Sequence, residues 1–121
     1  MRVAVVGAGP KGLFATERLA AHLVAAGTAA DITLFDAQPP GWGAGYHPDQ
    51  PDFLRLNVDS GIVTIDGAPP GQPSLGLTDF STWRLTHDEV EPLDPFPPRS
   101  LVGRYFACCW RELVHRVPPS V

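Results

Sequence analysis

The most constraining feature of the chain is a six-residue run, Gly-Ala-Gly-Pro-Lys-Gly at positions 7–12, set between two segments of different periodicity. Ahead of it, residues 2–6 (Arg-Val-Ala-Val-Val) are short, β-branched and nearly all apolar. That is the pattern of a strand buried on both faces. Behind it, residues 11–26 put Leu13, Leu19, Leu23, Ala15, Ala20 and Ala26 on a stripe of near-helical spacing, and Gly27 supplies a C-terminal stop. Residues 31–36 (Asp-Ile-Thr-Leu-Phe-Asp) read as a second strand. Strand, glycine turn, helix and strand together make a βαβ unit, for which a right-handed crossover and a parallel pair are expected.

The glycines match the pattern G-x-G-x-x-G, which means little alone and much in this setting. Gly7 permits the tight turn. Gly9 has no side chain, so a pyrophosphate can come close to the backbone, and Gly12 lets the helix pack against the strand. The free N–H groups and partial positive charge of a helix start then face the phosphates, with Pro10 and Lys11 beside them. Lys11 reads equally as a phosphate contact or as a solvent-facing lysine. Asp36 lies 24 residues beyond Gly12, and a carboxylate there accepts hydrogen bonds from ribose hydroxyls. It would repel a 2′-phosphate, and no arginine follows closely, which excludes NADP at this turn. The glycine spacing also argues against short-chain dehydrogenases. Thr16, four positions after Gly12, stands where such folds usually have alanine.

Composition narrows the class further. Nine basic and 13 acidic residues give a formal net charge of −4, and Lys11 is the single lysine. The arginines are scattered, so no nucleic-acid partner is expected. No window approaches 18 consecutive apolar residues, and Gly7, Gly9 and Pro10 break the first apolar run, so neither a membrane span nor a signal peptide is expected and the expected location is cytoplasmic. Cys108 and Cys109 are adjacent and read as small buried hydrophobes rather than a disulfide framework. No metal is expected, because His22, His47, His87 and His115 show no ligand spacing. His22 and His115 are expected to face solvent and His47 to lie on a loop surface. Trp42 is a candidate for ring stacking, and Trp83 and Trp110 for the core.

Residues 39–98 hold eleven prolines and seven glycines. Phe53–Val58 alternates and allows a short strand or an extended segment, and Gly61–Ile65 is a further strand candidate. Asp79–Leu85 reads as a short helix capped by Thr78 or Asp79. Residues 86–98 read as an acidic, proline-rich loop. From Ser100 to Val117 a helical pattern returns, with Val102, Phe106, Cys109, Leu113 and Val117 on one face. Arg99 opens that helix as a cofactor or loop anchor. The expected fold class is α/β: a partial Rossmann-like dinucleotide-binding fold made of a βαβ unit, a long Pro/Gly-rich irregular segment and a C-terminal helix, in a single domain over 1–121.

Six blocks taken together resemble the N-terminal segment of FAD/NAD(P)-binding flavoprotein oxidoreductases, the two-dinucleotide-binding-fold superfamily, and most of all a bacterial FAD-NAD(P)-binding subfamily. They are Val-Ala-Val-Val-Gly-Ala-Gly-Pro-Lys-Gly (3–12), Ile-Thr-Leu-Phe-Asp (32–36), Gly-Ala-Gly-Tyr (43–46), Leu-Arg-Leu-Asn-Val (54–58), Asp-Phe-Ser-Thr-Trp (79–83) and Pro-Arg-Ser-Leu-Val-Gly-Arg-Tyr (98–105). The resemblance implies that the βαβ unit holds the ADP half of FAD, with NAD as the alternative ligand of the same site. It implies that residues 41–46, including Gly45, line the pyrophosphate path, and that Ala37 beside Asp36 belongs to the cofactor site. Asn57 would approach the isoalloxazine ring; as a residue after a short strand it reads equally as a turn former. No catalytic residue is assigned.

The implied function is FAD binding within an FAD-dependent oxidoreductase of monooxygenase or hydroxylase type. A doubly wound sheet has five or six strands, and the sequence offers two convincing parallel ones. The domain is therefore expected to be incomplete. The alternatives are a non-catalytic partner or half of a split flavoprotein, completed by a second polypeptide or by a homo-oligomer, and a truncated fragment without activity of its own.

Overall fold

The computed structural model describes residues 1–87 and 92–121. Strand β1 (Arg2–Val6) leads through the glycine turn into helix α1 (Pro10–Ala25), and strand β2 (Asp31–Phe35) follows. The two strands pair in parallel, with Arg2 opposite Asp31 and Val6 opposite Phe35. The α1 terminus closes as expected around Gly27: Thr28 N–H donates to Leu23 O and Gly27 N–H to Val24 O. The Thr16 hydroxyl is buried and donates to the Gly12 carbonyl at 2.8 Å, so the departure from alanine leaves no polar group unpaired.

One expectation needs correction. β1 is not buried on both faces. Val3 and Val5 are half-buried towards the helices, while Ala4 is exposed and Val6 is 86% exposed. β2 repeats the pattern, with Ile32 and Leu34 half-buried and Phe35 54% exposed. The reason is architectural. α1 and the last helix, α3 (Arg99–Arg116), lie over the same face of the sheet, the face that carries Ile32 and Leu34. Among the described residues nothing covers the other.

The long middle segment is irregular, as its prolines require, yet it supplies much of the core. Leu56, Ile65, Leu77, Phe80 and Trp83 pack with Leu13 of α1 and with Val102, Tyr105, Phe106, Cys109 and Leu113 of α3. Phe53–Val58 forms no strand: it passes through a turn, with Leu54 N–H donating to Pro51 O, and through bends at Asn57 and Val58, and Arg55 forms an isolated bridge, antiparallel to Pro98. The strand expected at Gly61–Ile65 is absent. A 3-10 turn occupies Ser60–Ile62, because the Asp59 carboxylate accepts from Gly61 N–H and draws the backbone into a turn. Helix α2 (Phe80–Leu85) is capped by Asp79, which accepts from Thr82 N–H and Thr82 Oγ1. These bonds, the hydroxyl first, hold the Asp79 carboxyl below its ordinary pKa. Within the loop expected at 86–98, residues 88–91 lie outside the described residues.

Helix side chains stand in for the missing sheet ladder. Glu17 of α1, fully buried, accepts from Leu75 N–H at 3.1 Å. Glu112 of α3 accepts from both Thr78 N–H and Thr78 Oγ1. The Tyr105 hydroxyl donates to Thr78 O, and Arg116 donates to Leu75 O. Arg84, 1% exposed, donates to Ser60 Oγ and Asp94 O and lies over the Phe80 ring. Arg99 is the loop anchor, its Nε donating to Arg55 O. His22, His47 and His115 are exposed, Trp83 and Cys109 are buried, and Trp110 packs partly buried against the core. Trp42 meets the His47 ring edge-on.

Candidate dinucleotide-binding site

The site grows out of the β1–α1 junction. Gly7 extends the sheet ladder by donating to Phe35 O at 2.8 Å, then turns the chain with φ +94°, a conformation costly for any residue with a Cβ. A Cβ at Gly12 would lie 1.8 Å from the Gly7 carbonyl oxygen, so the helix can sit this close to the strand only with glycine there. α1 has no capping side chain and no acidic residue in its first turn. Its leading amides and the positive end of its dipole are therefore free for an anion.

Gly9 has a second task beyond the one its spacing implies. A Cβ there would meet Gly43 Cα at 3.1 Å, so the loop of residues 41–46 rests directly on the turn. The same loop is tied down by Gly41 N–H, which donates to Ala8 O at 2.7 Å. Ala8 is held from the other side by Asp36, whose Oδ2 accepts its N–H at 2.6 Å. Asp36 Oδ1 accepts from Gln38 N–H at 2.9 Å. The Gln38 and Ala8 bonds hold the Asp36 carboxyl below its ordinary pKa, so it stays ionised at neutral pH. It is exposed, and each of its oxygens has a further lone pair for an incoming hydroxyl.

Three hollows adjoin this junction. The first, of about 610 Å³, is lined by Val6, Gly7, Gly9, Pro10, Lys11, Gly12 and Tyr46. The second joins Asp36 and Gln38 to Gly43, Ala44 and His47. The third shares Pro10 and Lys11 with the first and runs along Phe14, Val58, Ile62, Val63 and Phe106, an almost wholly apolar wall. The expected residues thus separate into groups. Gly7, Gly9, Pro10, Lys11 and Gly12 come together around the first hollow, and Asp36 faces the second. Ala37 is exposed beside Asp36, and Gly45 is exposed on the loop, its carbonyl accepting from Gln50 Nε2. Asn57 is exposed and is not among the lining residues; its neighbour Val58 is.

Sequence reasoning placed Gly41 and Gly43 only as members of the 41–46 block, without their packing partners, and gave Gly103 no role in the site. Gly41 backs onto the Phe106 backbone, where a Cβ would fall 2.8 Å from its carbonyl; Gly43 abuts Gly9; and Gly103 faces the Tyr46 carbonyl across α3. Gly103 did leave a signal, because a glycine inside a helix costs about 1 kcal/mol against alanine and calls for a reason. Among the described residues no cluster of histidine, cysteine and carboxylate could hold a metal ion, and no helix is long and apolar enough to cross a membrane.

Curated relatives extend the picture. A nitrosuccinic acid synthase from Aspergillus oryzae is 30% identical over 130 residues, covering 98% of this chain and 19% of that protein. L-aspartate N-monooxygenases (nitrosuccinate-forming) from Streptomyces davaonensis and Streptomyces cremeus are 29% and 27% identical, each across 98% of this chain and 22% of the relative. The chain therefore spans about a fifth of the length of these relatives. A model of the FAD-NAD(P)-binding family matches residues 4–121, which include the glycine turn, Asp36 and the whole of α3. The two-strand parallel sheet, the uncapped helix start and that match agree: this chain belongs to the FAD-NAD(P)-binding family.

Proposed function

We propose that the chain is the ADP-binding part of an FAD-dependent monooxygenase that hydroxylates the amino group of a small acidic amino acid. The observation that carries the reading is the open, uncapped glycine turn with ionised Asp36 beside it and an apolar hollow leading away from it. A dinucleotide fits this arrangement. The α1 amides and Lys11 face the pyrophosphate around Gly7, Gly9, Pro10 and Gly12, while Asp36 and Ala37 take the ribose and Gly45 borders the path. The apolar wall of Phe14, Val58, Ile62 and Phe106 receives the flavin ring, with Asn57 at its rim. NAD is the alternative ligand of the same turn. Bound flavin would supply two-electron redox chemistry and reaction with oxygen; this chain supplies position, a dry wall and phosphate electrostatics. The substrate class comes from the relatives named L-aspartate N-monooxygenases. Titrating the purified chain with FAD and then NAD, followed by flavin fluorescence and heat, tests the reading. Saturable FAD binding supports it, and none at millimolar ligand contradicts it.

A second reading has its own support: the module is completed by another polypeptide or by a second copy. Val6 and Phe35 are exposed on the bare sheet face. An apolar groove of about 400 Å³ runs over Ile32 and Leu34, between α1 and Trp110, Leu113 and Val117. Both are surfaces that pairing would cover. Light scattering behind size exclusion tests this, and a well-behaved monomer counts against it.

A further inference from the structure

We infer that Gly103 on α3 is a positioning residue for the phosphate turn, acting through the 41–46 loop; the inference rests on the dinucleotide reading of that turn. The loop is wedged between α3 and the glycine turn. On one side it meets α3 through backbone at Gly41 and Gly103, beside the Tyr46 ring, which packs edge-on against Phe106. A Cβ at Gly103 would lie 1.8 Å from Tyr46 O, and one at Gly41 would lie 2.8 Å from Phe106 C and O. On the other side it meets the turn through the Gly9 backbone and the rigid Pro10 ring. A Cβ at Gly43 would lie 3.3 Å from Gly9 Cα and from Pro10 Cδ. Gly41 N–H, 2.7 Å from Ala8 O, fixes the loop to the turn, while Asp36 fixes the opposite edge of Ala8.

Side chains normally absorb small shifts by changing rotamer. Here the Gly103–Tyr46 contact is backbone to backbone, and at the Gly43–Gly9 contact the one side chain is the Pro10 ring, which has no rotamer to change. A displacement of the loop at α3 therefore reaches Ala8 and Gly9, and Gly9 lines the phosphate hollow together with Tyr46 of the loop itself. Gly103 also has its cost explained: glycine inside a helix loses about 1 kcal/mol against alanine, and the Tyr46 carbonyl occupies the place a methyl group would take. Of the α3-side pair it is the cleaner probe. Gly41 has φ +109°, so a substitution there is strained whatever the space, whereas Gly103 is an ordinary helical residue whose obstacle is the loop itself.

Gly103→Ala tests this, with Arg104→Ala, exposed on the next position of α3, as the control. Two quantities are read: FAD affinity by fluorescence titration, and hydrogen exchange of single amides by NMR in the protein without ligand. The expected result is FAD affinity reduced tenfold or more in Gly103→Ala and unchanged in Arg104→Ala. Gly41 N–H should exchange at least tenfold faster in Gly103→Ala, while Gly7 N–H, bonded to Phe35 O in the sheet, keeps its rate. General destabilisation would speed both amides together, and that outcome overturns the relay. So does an unchanged Gly41 amide, or FAD affinity within twofold of the parent. If the parent chain itself fails to bind FAD, the dinucleotide reading falls and the assignment of Gly103 falls with it. Altered exchange at Gly41 in that case leaves only a packing contact. Should Gly103→Ala not fold, FAD titration of the parent decides: the Gly103 and Ala107 amide resonances must move, and stationary ones overturn the relay.

Discussion

Gly12→Ala separates two opposing effects of known size. In an exposed helix interior the change from glycine to alanine gains about 1 kcal/mol. At this position the new Cβ would sit 1.8 Å from Gly7 O and 2.9 Å from Gly7 C. Carbon and carbonyl oxygen ordinarily meet at about 3.3 Å, so helix and strand must part by about 1.5 Å. The obstacle is backbone, and it cannot rotate away. Parting also disturbs Leu13, Thr16 and Ala20, each 4% exposed or less. Overpacking a well-filled site costs about 1–3 kcal/mol, and the upper end applies where nothing yields. The net loss is then about 2 kcal/mol, or a fall of about 8 °C in Tm for a chain of this size. Urea denaturation followed by far-UV circular dichroism measures it. Gly45→Ala is the control, since a Cβ there meets nothing within 4 Å, and its effect should stay within about 0.5 kcal/mol. A Gly12→Ala variant as stable as the parent, or more stable, refutes the close-packing argument.

Further outcomes follow from the charges and thiols. Asp36 has its pKa lowered by the N–H bonds of Gln38 and Ala8; its contribution is in place above the ordinary carboxylate pKa and is lost as pH falls through the depressed value. Asp36→Asn should therefore show a smaller decline in urea midpoint between about pH 6 and pH 3 than the parent; equal declines would remove this carboxylate from the turn. Glu17 behaves in the opposite sense. Burial raises its pKa above 4.5, so the folded state favours the protonated form and stability falls as pH rises from that ordinary value through the raised one. Glu17→Gln keeps an acceptor for Leu75 N–H and should match or exceed the parent at neutral pH; a clear loss there would mean the charge itself is required. Cys109 is 1% exposed and burial pushes its thiol pKa up to about 12, so iodoacetamide should label Cys108 in the native chain and Cys109 only after unfolding, as read by peptide mass spectrometry. Equal native labelling would contradict the core placement of Cys109.

Local signals carried well from sequence to structure wherever one residue type has one physical use. The β1–turn–α1–β2 unit was legible because β-branched runs, a helical stripe and three spaced glycines each point to one conformation. The Asp79 cap and the apolar face of α3 were legible for the same reason. Burial on the second sheet face was not. Val6 and Phe35 are apolar whether or not a covering layer is present, so the sequence cannot report that α1 and α3 both lie on one face. The turn at Ser60–Ile62 replaced an expected strand because a single Asp59 bond outweighed the β-branched pattern of Ile62, Val63 and Ile65. The 41–46 wedge was legible only as a glycine-rich block. Its meaning depends on Gly103, some sixty residues later in the chain, and on which backbone atoms α3 brings to it. Gly103 itself shows how tertiary contact overrides helix propensity.

The central claim is that the glycine turn and Asp36 hold a dinucleotide. Amide NMR of the chain during titration with FAD tests it most directly. The account predicts saturable shifts concentrated at Gly7, Gly9, Lys11 and Gly12, at Asp36 and Ala37, and along the 41–46 loop, with ADP alone reproducing those shifts and sparing the wall formed by Val58 and Ile62. Unmoved turn amides at millimolar FAD, or shifts confined to the groove over Ile32 and Leu34, would contradict it.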